Sequence, residues 1–559
     1  MKIKAPWLKH YGDIPVNLEY SDGTMWDCFL KSAAAVPAFP ALAYMDREYS
    51  YAHVKSAIEK TARGFAAIGV NKGTRVAICL PNMPQAIYCL YALNMLGAAA
   101  CMVHPLSAEK ELTDLLKEAE CSFAVIMDSF AAKFADAEKQ LPHIKYIVTD
   151  AAECLGIKST VYKLLKGRKF KVDYPKNSMV WKKFIKQGKD KTLPKTVKAE
   201  KDRPAVILFS GGTTGIPKAI ALSDFNVNAM SAQINAVDRN NMHGNRTLAV
   251  LPIFHGFGLG VCIHSPLCNC GTSVLVPRAN PAEFAKLLES TKTNVLAAVP
   301  SLLEALTRNK YKPDLSGLLA VYSGGDSMSA SLKQKLNAYL KDCGAKIRVQ
   351  EGYGATECFA ASCLTPYFST KDDGIGFPLP DMFFKICDPL TAEELPYNTD
   401  GEICVSGPTV MLGYLGHVEE NKNTLRRHAD GRIWLHTGDM GCMDAEGCVY
   451  FRQRIKRMII TNGYNVYPSR IEQILDEHPK TRQSFVIGVP DPQKIQRVKA
   501  FVVPEDGVTA DDALRAELLE YCKERIAKYA MPRDIEFRKD LPKTKLNKID
   551  YRALEEESV

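Results

Sequence analysis

Ala205-Val206-Ile207-Leu208-Phe209 runs directly into Ser210-Gly211-Gly212-Thr213-Thr214-Gly215-Ile216-Pro217-Lys218. The first five side chains are continuously apolar, as in a strand buried on both faces, and the next nine hold three glycines, three hydroxyls and a lysine. Glycine lets backbone N–H groups approach an anion closely, Ser210, Thr213 and Thr214 supply O–H donors, and Lys218 supplies a full positive charge. Such a loop suits a polyphosphate. A Walker loop is excluded, because Lys218 follows Pro217 and precedes Ala219 instead of standing between Gly and Ser or Thr. Taken alone, the stretch also reads as a plain Gly/Ser/Thr connector between two strands.

The surroundings alternate buried strands with amphipathic helices. Arg75–Leu80 precedes a helix beginning near Met83, and Thr247–Leu251 ends at the turn of Pro252, a rhythm that predicts α/β layers. From Gly401 to Tyr450 the pattern changes to short strands with Gly-Asp, Asp-Gly and Glu-Gly turns, predicting a small β subdomain. After Arg454 strand and helix signals resume in a unit of about a hundred residues. The expected fold class is therefore α/β: a large N-terminal domain of layered α/β subdomains plus a small β subdomain, residues 1–453, followed by a small α+β C-terminal domain, residues 454–559. A length of 559 residues is also too great for one core.

Composition narrows the class further. At 46% hydrophobic and 24% charged, the chain is that of an ordinary globular protein. Its 17 cysteines stand apart in apolar segments, with no Cys-x-x-Cys pair, and read as reduced buried thiols of a cytoplasmic protein. His264, Cys268 and Cys270 lack a fourth nearby ligand and read as coincidence rather than a metal site. Met1–Tyr20 has no apolar core of a signal peptide. Ala86–Val103 is long enough to raise a membrane span, but Gly97 divides it into a buried helix followed by a strand. The net charge of +9 is concentrated: residues 158–201 hold fifteen basic and three acidic side chains, so the rest of the chain is net acidic. That insert reads either as a solvated surface loop or as a segment attracted to an anionic membrane, with Tyr162, Leu164, Leu165, Phe170, Trp181 and Phe184 among its cations. No base-reading module accompanies it, so nucleic acid is not an expected partner, and no pattern points to an oligomeric state.

Five further segments carry chemistry. Leu251-Pro-Ile-Phe-His255-Gly-Phe257-Gly258 sets His and aromatic side chains on a Gly-flexed turn. Tyr322-Ser-Gly324-Gly325-Asp326 ends a buried strand with glycines able to press against a purine. Gln350-Glu351-Gly352-Tyr353-Gly-Ala-Thr356-Glu357 combines an aromatic, a hydroxyl and a carboxylate suited to stacking, phosphate contact and Mg²⁺ binding. His436-Thr-Gly-Asp439 offers a carboxylate for ribose hydroxyls, and Leu541-Pro-Lys-Thr-Lys-Leu-Asn547-Lys548 is a cationic turn near the C-terminus.

In this order and spacing the six segments resemble the adenylate-forming superfamily, specifically its acyl-CoA synthetases, from about Tyr51 to Leu554. The resemblance implies a ligase that joins a carboxylic acid to ATP with Mg²⁺, releases pyrophosphate, and passes the acyl group from AMP to coenzyme A. A carboxylate meeting a polyanionic triphosphate is opposed mainly by repulsion and misalignment, which fixed cations and N–H donors relieve. By resemblance Lys548 is the catalytic lysine of adenylation, Thr356 the α-phosphate contact, and His255 a further residue at the reacting centre. Ser210, Gly211, Gly212, Thr213, Thr214, Gly215 and Lys218 hold phosphates, and Glu357, with Ser210, holds Mg²⁺. Gly324, Gly325 and Asp326 form the adenine wall, Glu351, Gly352 and Tyr353 continue the nucleotide site, and Asp439 with Arg454 clamps the ribose. His255, Phe257, Val299, Tyr322 and Gly324 line the acyl pocket. The resemblance also implies a mobile C-terminal domain hinged at 454–457 with Lys456 at the pivot, and a pantetheine tunnel at Gly463.

The chain departs from the family pattern at Arg457, where an acid is usual, at Ile460, often Lys, at Arg470, usually Glu, at Asn547, usually Gly, and at Gly211, more often Ser or Thr. Amino-acid-activating relatives carry an aspartate in the aromatic turn, and Phe254-His255-Gly256-Phe257 has none, so a fatty acid of medium or long chain is the expected substrate. The basic insert also most resembles that of bacterial long-chain enzymes. A ligase for aryl or steroid acids, an adenylase serving a separate carrier protein, and a non-catalytic lipid-binding homologue remain as alternatives.

Overall fold

The computed structural model describes residues 5–154, 174–210, 217–238, 243–369, 371, 374–461, 464–491, 495–523, 525–526, 528–544 and 549–558. Among them, two large sheets form the N-terminal part. One runs through eight strands in the spatial order Gly413–Tyr414, Ala219–Ser223, Pro204–Phe209, Ala99–Met102, Arg75–Cys79, Phe123–Met127, Lys145–Thr149 and Ser178–Val180. Its strands from Pro204–Phe209 to Ser178–Val180 are mutually parallel, and the other two add antiparallel at one edge. The other is a nine-stranded sheet whose parallel centre includes Val349–Tyr353, Ala320–Ser323, Val295–Ala298, Arg246–Ala249 and Thr272–Leu275.

Helices cover these parallel strands because both faces are apolar. The helix Pro84–Leu96 is buried at every position, ends at Gly97 in a left-handed conformation (φ 73°), and delivers the strand Ala99–Met102. The long apolar run is thus a core helix and a strand, as its glycine predicts. No helix among the described residues is long and apolar enough to cross a membrane.

A smaller, wholly antiparallel sheet follows, with Phe383–Cys387, Gly401–Ser406, Ile433–Met443, Leu425–Arg427 and Val449–Arg454 as strands. The C-terminal part has its own core: Ile459, Ile471, Leu475, Val486, Val498, Ala500, Val502, Leu518 and Ile535 pack between the Thr481–Asp491 and Ile495–Pro504 hairpin and the helices Pro468–Asp476 and Asp512–Lys523. The architecture is the α/β class expected, with a large N-terminal domain and a small C-terminal one.

The insert is only partly described, since residues 155–173 lie outside the described set. Where it is described, one expectation is corrected. Trp181 and Phe184 do not accompany the lysines at a surface: they belong to the helix Trp181–Gln187, are 8% and 0% exposed, and pack on the helix Tyr51–Ala67, with Phe184 edge-on to Phe65 at 4.9 Å. Their hydrophobicity serves the core.

Candidate active site

Pro204–Phe209 and Ala219–Ser223 are antiparallel neighbours with Phe209 opposite Ala219, and Ser210 N–H donates to the Lys218 carbonyl at 3.2 Å. The glycine-rich stretch therefore joins two antiparallel neighbours, with Ser210 and Lys218 paired at its base. Gly211, Gly212, Thr213, Thr214 and Gly215 lie outside the described residues. At the foot of the loop the Lys218 ammonium pairs with Glu420 and sits 5.0 Å from the centre of the Tyr414 ring. The Tyr414 hydroxyl donates to Glu357 Oε1 at 2.9 Å. Burial first, then the charge of Glu357, push the Tyr414 phenol up, which keeps it a donor.

The cavity lies at the carboxyl ends of the parallel strands, where open α/β sheets bind ligands. Ala320–Ser323 ends in Gly324 and Gly325 (φ 83°), and Val349–Tyr353 ends in Gly354. With His255, Phe257 and Tyr322 these glycines enclose about 80 Å³, closed by Ile234, Val261, Thr356, Ala360, Ala361, Leu364 and Arg454. No carboxylate lines the cavity among the described residues; Arg454 is its full charge. Close approach explains the glycines: a Cβ on Gly324 would stand 3.2 Å from the Gly352 carbonyl and 3.3 Å from the Phe257 ring. The chain then turns sharply through Phe359 (φ 43°) and Ala360 (φ 78°), two left-handed non-glycine residues in succession, a strain that packing around a site sustains.

Asp439 and Arg454 are directly opposite in the ladder of Ile433–Met443 and Val449–Arg454. The Tyr353 hydroxyl donates to Asp439 Oδ2 at 2.7 Å, and Arg454 Nε lies 3.4 Å from Asp439 Oδ1. Burial, and then the Asp439 carboxylate, hold the Tyr353 phenol well above its usual range. The turn carrying Asp439 is set from behind: Glu402 accepts the Gly438 N–H at 2.9 Å with one oxygen and bonds His436 Nδ1 at 2.7 Å with the other. Replacing Asp439 with Asn keeps the turn but halves the acceptor strength toward a diol. A charge-assisted hydrogen bond contributes about 1.5–3 kcal/mol, so the KM for ATP should rise roughly tenfold to a hundredfold with smaller change in the KM for the acid. Initial rates with each substrate varied in turn would show it.

Other expected residues fall differently. Val299 caps the helix Pro300–Thr307 and is not among the cavity-lining residues. Asp326 is exposed and accepts the Ser327 N–H at 2.9 Å. Glu351 Oε1 is 2.8 Å from the ammonium of Lys333, itself buried on the helix Ala330–Asp342, so that carboxylate is already neutralised. His264 is fully buried, bonded to Tyr91 and Asn228, and held neutral by burial, its pKa pushed down to about 3, so it serves the core. Lys548 and Gly463 lie outside the described residues, as does the side chain of Lys456 within the short turn Ile455–Arg457. Sequence reading missed Tyr414, Glu420 and Lys333, as well as Ile234 and Val261 on the cavity wall. Val261 follows Gly256, Gly258 and Gly260, and Tyr414 lies between Gly413 and Gly416, but nothing local marks which partners these side chains meet, and only chain folding brings them to the site.

Residues 29–415 match the family model described as AMP-binding enzyme, and residues 470–548 match the one described as AMP-binding enzyme C-terminal domain. The chain belongs to the AMP-binding enzyme family. It is an acid–thiol ligase of the acyl-CoA synthetase type. Among curated relatives, a long-chain-fatty-acid–CoA ligase of Bacillus subtilis (strain 168) is 33% identical over 570 residues, covering 100% of this chain and 99% of that protein. Among solved structures, ATP-bound MatB from Rhodopseudomonas palustris is 25% identical with a TM-score of 0.81, covering 95% of this chain and 98% of that one. The anthranilate CoA ligase AuaEII, 22% identical at a TM-score of 0.81, shares the fold over 98% of both chains.

Proposed function

We propose that this AMP-binding enzyme converts a medium- or long-chain fatty acid to its acyl-CoA through an acyl adenylate, releasing AMP and pyrophosphate. The observation that carries the reading is a cavity with no carboxylate among its described lining residues and with Ile234, Phe257, Val261, Ala360, Ala361 and Leu364 on its wall, which Thr356 and Arg454 also line, Arg454 facing Asp439. An acid enters such a site without meeting like charge, and its tail is removed from water, which stabilises by about 0.8 kcal/mol per methylene. The full-length likeness to the Bacillus subtilis ligase supports the choice of acid.

The assigned roles follow from the chemistry present. Phosphates lie along the 210–218 loop, with Lys218 offsetting their charge, and Thr356 supplies an O–H donor to the α-phosphate. Asp439 accepts the ribose hydroxyls, and Gly324 and Gly325 lie flat enough for adenine. The residues around Glu357 fit a Mg²⁺ site: one oxygen accepts from Tyr414 and the carboxylate retains its remaining lone pairs, the hard oxygen donor this ion takes. Bound there, Mg²⁺ would neutralise triphosphate charge. Residues 1–453 form the nucleotide domain, and residues 454–559 swing at 454–457 about Lys456, bringing Lys548 in for adenylation and removing it when CoA enters past Gly463.

Incubation with ATP, Mg²⁺ and a panel of fatty and aryl acids, reading pyrophosphate before and after CoA, tests the proposal. Catalytic release stimulated by CoA with a fatty acid supports it, a single turnover insensitive to CoA favours a carrier-protein acceptor, and no release with any acid overturns it. One observation favours aryl acids as a second reading: about 80 Å³ bounded by Phe257 and Tyr322 suits a small rigid acid unless the walls part, since ligand sites are usually above about 300 Å³. For the basic insert, exchanging its lysines for glutamine should weaken binding to anionic vesicles while leaving turnover on a soluble acid intact. Undiminished sedimentation with the vesicles would remove membrane attraction.

A further inference from the structure

Two side chains flank Lys218 beside the phosphate loop, and one of them, Glu420, has no part in the chemistry proposed above. Tyr414 and Glu420 stand on one short segment, the strand Gly413–Tyr414 and the helix Val418–Thr424. The strand is fixed to the loop's own strand, Tyr414 opposite Ile220 and Gly413 opposite Ala221. The segment is tied further by Asn421, whose Oδ1 accepts the Tyr414 N–H at 2.7 Å and whose Nδ2 donates to the Tyr414 carbonyl at 2.8 Å. His417 Nε2 bonds Glu118 at 2.6 Å. A rigid element therefore presents a carboxylate to the one ammonium of the loop and an aromatic face to its side.

We infer that Glu420 is a built-in counter-ion of Lys218 that an incoming triphosphate must displace, so that this residue sets the enzyme's affinity for ATP; the inference rests on the reading of Lys218 as a phosphate ligand. The two side chains differ in exposure in the sense displacement requires. Lys218 is 18% exposed and held against Tyr414, whereas Glu420 is 42% exposed and can turn into water at little cost of desolvation. A triphosphate brings several negative charges to the same ammonium and repels Glu420, and the lysine keeps its place over the ring while it exchanges one anion for another. Tyr414 also holds Glu357 through its hydroxyl, so Lys218 and Glu357 are spaced by a single side chain.

The test uses Glu420→Gln, Lys218→Met and the double variant in the full-length enzyme, reading acid-dependent ATP–pyrophosphate exchange and kcat against KM for ATP. Glu420→Gln should lower the KM for ATP roughly three- to fivefold with kcat within about twofold, and the gain should vanish on the Lys218→Met background. Raising the salt should shrink the difference between wild type and Glu420→Gln, because the displaced pair is partly exposed. An unchanged or raised KM in Glu420→Gln, while Lys218→Met weakens ATP, overturns the counter-ion and leaves the phosphate loop standing. A KM unaffected by Lys218→Met overturns the reading of Lys218, and the inference with it.

Discussion

Acyl-adenylate formation by the Lys548→Ala protein is expected to fall by about a hundredfold or more, because a preorganised cation or donor at such a centre contributes on the order of 3 kcal/mol to the transition state. The carboxylate must approach an α-phosphate that carries like charge, and no other described cation but Arg454 lines the cavity. Thioester formation from a supplied acyl adenylate should stay within about twofold, since the repulsion between carboxylate and α-phosphate no longer opposes that step. Lys548→Arg should recover part of the loss, retaining charge with altered geometry. Single-turnover measurements of each half-reaction separate the two steps. Adenylation at wild-type speed in Lys548→Ala would refute the assignment, whatever the overall turnover shows.

Gly354→Ala is expected to be the most damaging conservative change in the cavity wall. A Cβ at this position would lie 1.6 Å from the Ala360 carbonyl oxygen and 2.6 Å from its carbon. Both are backbone atoms in a segment already held at positive φ through Phe359 and Ala360, so neither can yield as a flexible side chain would. Overpacking costs typically about 1–3 kcal/mol and more where backbone must move, so a fall in stability near or above about 3 kcal/mol is expected, with loss of ATP binding. Thermal or urea unfolding gives the first quantity, and nucleotide titration below the transition gives the second. A stable Gly354→Ala enzyme with unchanged ATP affinity would mean that the Gly354–Ala360 contact does not exist in the working protein. Gly69→Ala, placed where no atom lies within 4 Å but where φ is 97°, controls for strain at a glycine alone.

Much of the site was legible because its parts are local. The 205–218 stretch reads as strand and anion loop since period and composition are properties of neighbouring residues, and the structure delivers a hairpin with Ser210 and Lys218 at its base. The same holds for the 322–326 and 350–357 segments: the strand Ala320–Ser323 ends where Gly324 begins, and Val349–Tyr353, with Gly352 inside it, ends at Gly354. Gly97 likewise marked the break in the one long apolar run. Reading failed where a side chain's role depends on what packs against it. Trp181 and Phe184 look like a membrane-facing pair when read among lysines, yet the helix Tyr51–Ala67 offers them a dry surface and they take it. Ile234 and Val261, from distant segments, meet on the cavity wall, and Val299, the cap of the helix Pro300–Thr307, packs against both the core that holds them and the neighbouring one.

The order of residues alone determined the α/β class, the glycine-rich connection between two strands, the small antiparallel unit and the set of chemical groups available, because each follows from spacing along a few turns or one strand. Only the tertiary structure decided which of those groups meet. Tyr353 reaches Asp439 across 86 positions, Tyr414 reaches Glu357 across 57, and Lys218 reaches Glu420 across 202. Such partners carry no local signature: an ion pair or a shared wall costs nothing to the chain until folding has closed the loops between them, and so no pattern within either segment records it.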